Sequence, residues 1–285
     1  MRVGICLTVK NEEDLILRNI RHHLDTQGVD VIFVFDNNST DRTPALVQGL
    51  KDPRVILAQT PEEWGYRQDL MYTTGVRHLV NKFGCDWAIP TDADEFWVSN
   101  RHGTTRAVLE QVPEGIEVTA AHCWHLRETE GDDPGETDFM KRLRYGFLSE
   151  SRRLIIHKSL VNRIQMLTTG GHELFLHQRY QPLSATLDPD DLVRYHYNYI
   201  NVERARYRYT TKGEGYLKSL GEKWLQADSN VSRHARRMYL AIREGRFEEE
   251  YRTRIAFYGD RLQKAVEKGN LVQLPLPPTP PGDHS

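Results

Sequence analysis

The chain has 285 residues, of which 39% are hydrophobic and 27% charged, with a formal net charge of −2. That length suits one large domain, or one domain with a helical appendage. The near-neutral balance leaves no electrostatic footprint for general nucleic-acid binding, and no apolar run approaches the ~20 residues of a membrane span.

The N-terminus, MRVGICLTVKNEE, lacks the charged, long apolar and small-residue regions of a signal peptide, so a cytoplasmic protein is expected. Residues 2–9 form an apolar run of strand length. After Asn11, Ile16, Ile20 and Leu24 recur at helical spacing, and Gly28 closes that segment. Residues 29–36 (VDVIFVFD) read as a second strand, followed by a turn and a helix. A third strand covers 54–59, a helix 66–82 and a fourth strand 85–91. Strands alternating with helices imply βαβ units and a mostly parallel sheet buried on both faces. Residues 115–126 and 152–161 also read as strands, separated by an acidic, turn-rich loop at 127–138 that is expected to be exposed. From residue 201 the pattern is helical and charged, and the final LPLPPTPPGDHS is too rich in proline for helix or sheet. Cys6 and Cys85 lie in apolar runs and read as buried small hydrophobes. With Cys123 they form no CxxC pair, which argues against a zinc site or a disulfide framework. The basic clusters 141–144 and Arg152-Arg153 read as solvated surface.

Ligands of open α/β sheets bind at the carboxyl ends of the strands. Three predicted strands end in polar residues: Thr8-Val9-Lys10-Asn11, the segment Asp36 to Asp41, and Asp92-Ala93-Asp94-Glu95. Asp36 ends a strand as apolar as VIFVF, where a carboxylate can accept an N–H from a base and bond a ribose hydroxyl. Thr40 or Asp41 reads as a helix N-cap. The stretch PTDADEFW places three carboxylates in four positions, and a hard divalent cation removes their repulsion. An acidic cap on a following helix is the bland alternative, but EFWVSNRHG makes no convincing helix. Glu95 either supports the turn or faces an acceptor, while Phe96 and Trp97 anchor the turn in the core.

At these residues the chain resembles the family 2-like glycosyltransferases with the GT-A fold, in the bacterial branch with the pattern KNE…HH…G…DN.STD…DADEF. The matching pieces are Lys10-Asn11-Glu12, His22-His23, Gly28, Asp36 to Asp41, and Asp92 to Phe96. The resemblance implies an α/β GT-A domain over 1–200: a single, mostly parallel open sheet flanked by helices, with a Rossmann-like nucleotide-sugar-binding half (1–100) and an acceptor half (101–200). It also implies a C-terminal helical region (201–273) packed on that domain, with 274–285 as a proline-rich tail. The implied reaction moves a sugar from a nucleotide-diphosphate donor, with UDP favoured, to a hydroxyl of a small-molecule or glycan acceptor, with inversion and with Mn²⁺ or Mg²⁺.

Carried over by position, Thr8 and Asp36 contact base or ribose, with Val9, Asn11 and Ala93 alongside. Asp92 faces the ribose and the metal's water shell, and Asp94 binds the metal. Arg67 and Gln68 lie where polar donor contacts occur. Thr169-Gly170-Gly171-His172-Glu173 resembles a Gly-Gly-acidic motif in which the carboxylate is the catalytic base, here Glu173. His172 is a second base candidate, its ordinary pKa being near neutral, and Asp138 a third. His196, in DLVRYHY, is the implied third metal ligand. A helix is expected to end at Lys212-Gly213, with Lys212 approaching the diphosphate. Two departures stand out: Glu173 replaces the glycine usual after that histidine, and the loop 127–138 has no counterpart.

Trp64, Trp124, Tyr195, Tyr197 and Tyr199 read as core, with sugar stacking as the alternative. A dehalogenase-type phosphatase or phosphomutase would place Asp-X-Asp after the first strand. A sugar nucleotidyltransferase would place a glycine-rich basic loop there. TVKNEED is neither. A degenerate, non-catalytic sugar-nucleotide-binding protein is the remaining alternative.

Overall fold

The computed structural model describes residues 1–65, 67–177, 179–226 and 232–278. Contacts divide them into two compact units. The first holds 1–124, 148–196 and, at the C-terminal end, 277–278; the second holds 125–147 and 197–276. The helical unit therefore includes a segment from the middle of the chain, whereas the sequence suggested a division at residue 200.

In the first unit, β1 (Val3–Val9), β2 (Val31–Asp36), β3 (Val55–Gln59) and β4 (Trp87–Asp92) pair in parallel in the order β3-β2-β1-β4. β1 and β2 are buried at every position, as strands covered on both faces must be. The connecting helices are α1 (Ile16–Arg21), which widens into a π-turn at His22–Thr26, then α2 (Thr43–Gly49) and α3 (Gln68–Asn81). α1 begins at Ile16, the first of the residues at helical spacing, and not directly after Asn11. Before it, Asn11 adopts a left-handed conformation (φ 54°) and the Glu12 N–H donates to Thr43 Oγ1 at 2.8 Å, which holds the chain in a loop.

β5 (Glu95–Val98) follows β4 directly, so EFWV is a strand. After α4 (Thr105–Leu109) come β6 (Val118–Arg127), α5 (Phe139–Arg142), β7 (Tyr145–His157), β8 (Ile164–Leu167), β9 (Leu174–Leu176), β10 (Ser184–Thr186) and β11 (Val193–His196). The sheet continues past β4 as β7-β6-β11-β5, with β10 beside β6 and β5 at the edge. β4 with β7 and β11 with β5 are antiparallel, so the parallel half gives way to a mixed half. Residues 158–161, the end of the strand expected over 152–161, instead lie in a 3₁₀ turn over 158–163 that His157 caps by accepting from Ser159 N.

In the second unit, α6 (Val202–Leu220), α7 (Arg233–Arg243), α8 (Phe247–Arg254) and α9 (Gly259–Glu267) bury Tyr209, Trp224, Met238, Tyr239, Phe247 and Tyr251. α6 runs through Lys212-Gly213 instead of ending there. A Cβ at Gly213 would lie 2.1 Å from the Tyr239 ring, so glycine is needed for α7 to pack against α6. The acidic loop 127–138 is anchored at one end: Glu128 accepts from Tyr251 Oη (3.2 Å) and Tyr258 Oη, and Gly259 N donates to Glu130 (2.8 Å). β12 (Val272–Gln273) pairs with the start of β7, and Leu274 exchanges hydrogen bonds with Arg144, so the tail begins pinned. Residues 279–285 of the predicted tail lie outside the described residues. Among the described residues no helix is long and apolar enough to cross a membrane.

Candidate active site

The sheet register brings the predicted strand ends together. Thr8 of β1 pairs with Asp92 of β4, and Val9 with Asp36 of β2. The turn after β4 is then pinned from behind by α1. Asn19 Nδ2 donates to the carbonyls of Ala93 (2.9 Å) and Glu95 (2.8 Å). His22 Nε2 lies 2.7 Å from the Trp97 carbonyl, while the Trp97 N–H donates to His23 Nε2 at 3.2 Å. The partners assign opposite tautomers to the two rings. β5 is an edge strand, and these side chains satisfy its outward backbone groups. Burial pulls the His22 pKa down to about 4 and lowers that of His23 as well, so both rings are neutral at pH 7. Phe96 and Trp97 are fully buried and anchor the turn.

The crowded carboxylates are held by buried guanidinium groups that the sequence did not single out. Asp92 Oδ1 accepts from Thr8 Oγ1 (3.0 Å), Tyr72 Oη (2.8 Å) and Gln68 Nε2, and Asp92 Oδ2 pairs with Arg153 at 2.9 Å. Glu95 pairs with both Arg153 and Arg194 and also accepts from Thr91 Oγ1 (2.9 Å). Glu95 therefore supports the turn. Burial pushes its pKa up, but the two guanidinium groups hold it far below the usual carboxylate range. Arg153 and Arg194 are 1% and 2% exposed. The expectation of a solvated Arg152-Arg153 pair is thus half wrong, since only Arg152 faces water. The available signal was an arginine at the mouth of the apolar run RLII, where a solvated charge has no place.

Asp94 pairs with His196 from β11. It is 2% exposed, and its Oδ2 lies 3.3 Å from His196 Nε2. The antiparallel register of β5 and β11, with His196 opposite Glu95, makes the meeting possible. Burial works against charge on His196, but Asp94 and Cys123 outweigh it and raise its pKa to about 10. A carboxylate oxygen and an imidazole nitrogen at this separation are a donor pair suited to one divalent cation.

Residues 4–118 match the model of glycosyl transferase family 2. That stretch is less than half of the chain and includes β1 to β5 with the turn that carries Asp92 and Asp94. No curated protein sequence matches it at a significant level. Among solved structures it is similar to S. aureus TarS 1–349, at 11% identity, covering 89% of this chain and 74% of that one with a TM-score of 0.41. It is also similar to the mannosyltransferase PcManGT from Pyrobaculum calidifontis in complex with GDP-Man and Mn²⁺, at 13% identity, covering 86% and 75% with a TM-score of 0.43. Scores and identities this low carry nothing over to the site.

Several residues predicted to touch the donor also make contacts within the protein. Asp36 is 1% exposed, and its carboxylate accepts the Ser39 N–H at 3.2 Å. Asn11 Oδ1 accepts from Thr40 N at 2.7 Å, and Asn11 N donates to Ser39 Oγ at 2.9 Å. The strings KNE and DNNSTD thus form one interlocked double loop. Gln68 is buried and spends its amide on Thr8, Tyr72 and Asp92 and its carbonyl on Gly170 N at 2.9 Å. Arg67 pairs with nearby Asp69 at 2.6 Å. Val9 and Ala93 are buried, and Thr8 is nearly so. Lys212 and Asp138 belong to the helical unit, where Lys212 is exposed on α6 and Asp138 caps α5 by accepting from Met140 N at 3.0 Å.

The glycine turn packs against the carboxylate cluster. Gly170 and Gly171 have φ of 80° and 58°, a conformation that costs other residues about 1 kcal/mol or more. A Cβ at Gly171 would lie 3.0 Å from Arg153 Cδ and 3.2 Å from Pro90 Cγ. Beyond the turn His172 Nδ1 is bound to the Arg152 carbonyl at 2.5 Å, so that face of the ring is occupied. Glu173 is held by its backbone to Thr168 (3.0 Å) and leaves its carboxylate exposed.

Proposed function

We propose that the chain is a glycosyltransferase, a metal-dependent, inverting enzyme that moves a sugar from a UDP-sugar to an acceptor hydroxyl. The observation that carries this reading is the Asp94–His196 pair, brought to 3.3 Å from distant parts of the chain at the end of the sheet where such folds bind ligands. Asp94 and His196 would hold Mn²⁺ or Mg²⁺, which supplies a Lewis acid for the charge developing on the leaving diphosphate. Asp92, fixed by Thr8, Gln68, Tyr72 and Arg153, is a rigid acceptor for a ribose hydroxyl and not a further metal ligand. Glu173 takes the proton from the acceptor hydroxyl as it attacks the anomeric carbon, and one displacement inverts that centre. Its exposure beside a turn packed on Arg153 supports that role over His172, whose Nδ1 is engaged.

A thermal-shift series with nucleoside diphosphates, each with and without Mn²⁺, tests the reading. UDP should raise the midpoint only when Mn²⁺ is present. If no nucleotide shifts it in Mn²⁺, a nucleotide-sugar donor is ruled out.

A further inference from the structure

Arg153 lies between the two turns that carry the proposed chemistry. Its guanidinium bonds Asp92 Oδ2 (2.9 Å), Glu95 and Tyr72 Oη (2.9 Å), and it stacks over the Tyr72 ring 5.4 Å from the centroid. Its aliphatic stem lies under Gly171, where even a methyl group would press on Cδ. A buried guanidinium with this many fixed acceptors has little freedom to move. One side chain thus ties the carboxylate turn before β5 to the glycine turn that leads to Glu173.

We propose that Arg153 is a positioning residue that also sets the cation affinity of the site, keeping it weak until a nucleotide diphosphate arrives. The inference rests on the metal and nucleotide reading above. Asp92, Asp94 and Glu95 stand within four positions, and without a counter-charge they would draw a divalent cation in strongly. Arg153 neutralises the Asp92 end while leaving Asp94 and His196 to the metal. The remaining attraction comes from the phosphates of the donor, the usual additional ligands of Mg²⁺ and Mn²⁺. Arg153 holds Asp92 in one orientation at the same time, so the carboxylate is set before the ribose reaches it.

The two effects have opposite signs when the charge is removed, which a purely structural role would not produce. In Arg153→Met, binding of Mn²⁺ alone, followed by titration calorimetry on the full chain, should tighten by at least about ten-fold, the scale expected for one unit charge removed near a cation at an effective dielectric of about 20. Binding of UDP at saturating Mn²⁺ should weaken by about ten-fold, because Asp92 is no longer held. Arg153→Lys keeps the charge but not the fork. It should leave Mn²⁺ binding within about two-fold of wild type and weaken UDP binding by a smaller factor. Arg153→Gln is the second neutral variant, able to bond Asp92 and Tyr72 should the methionine variant fail to fold, and it should also tighten Mn²⁺ binding. A wild-type chain that binds neither Mn²⁺ nor UDP overturns the proposed function and this inference with it. A wild-type chain that binds both, with neutral variants that hold Mn²⁺ no more tightly, overturns the role of Arg153 alone.

Discussion

Two glutamates show how differently one residue type is used in this chain. Glu95 is buried between two guanidinium groups, whereas Glu173 is exposed at the end of a glycine turn. Removing one partner of a buried ion pair leaves the other charge stranded, at about 3–5 kcal/mol. Glu95→Ala should therefore lower unfolding free energy by that amount in urea denaturation, whatever the assay of turnover shows. Glu173→Gln should do the reverse. Stability should stay within about 0.5 kcal/mol of wild type and Mn²⁺-dependent UDP binding should persist, while turnover falls by about 10²-fold or more. A Glu173→Gln enzyme with near-normal turnover would remove it as the base.

At the scale of elements, the strand and helix periods of the first hundred residues were legible because β1, β2, β4 and α3 are buried in the way their patterns demand. β1 to β4 and α3 fall within a few residues of their predicted bounds. What local pattern did not carry was pairing at long range. The meeting of β5 with β11 depends on residues about a hundred positions apart, and it is that pairing which places His196 beside Asp94. The resemblance supplied His196, and the register supplies the reason. Arg153 and Arg194 stayed hidden because a charged residue in a strand reads as surface until its partner is known. Asp36 and Asn11, read as donor contacts, also bond within the double loop, a role that one dimension does not show because loop-to-loop hydrogen bonds leave no periodic trace. The predicted stop at Lys212-Gly213 failed because glycine there serves a close helix crossing instead of a cap. Gly213→Ala should accordingly destabilise the helical unit by about 1–3 kcal/mol through the Tyr239 ring, measured by urea denaturation followed by tryptophan fluorescence, which Trp224 in that unit reports. An unchanged transition would mean that α6 and α7 pack otherwise.

At the scale of the whole molecule, the buried ionisable groups give folding stability a peaked dependence on pH. His22 keeps its ring neutral down to about pH 4, and His23 is also lowered, whereas in the unfolded chain both take up a proton near pH 6.5. Below 6.5 the unfolded state binds more protons than the native one, so stability falls as pH drops from 6.5 towards 4. His22 alone accounts for about 3 kcal/mol over that window. Glu95 adds to the loss only at lower pH, because its depressed carboxyl contributes fully above the ordinary carboxylate pKa of about 4.3 and loses that contribution as pH falls below it. On the alkaline side His196 acts in the other sense. Its pKa is raised to about 10, so its contribution is complete below 6.5 and is lost as pH rises from there through 10. In metal-free buffer the urea midpoint should therefore be highest near pH 6.5 and fall on both sides. His22→Gln should flatten the acid limb even though it lowers stability at pH 7 by weakening the cap on the Trp97 carbonyl. His196→Gln should flatten the alkaline limb and leave the acid limb as it is. A midpoint that stays level from pH 4 to 6.5 in the unsubstituted chain would show that the two histidines are not buried neutral, and that the free edge of β5 is capped by something else.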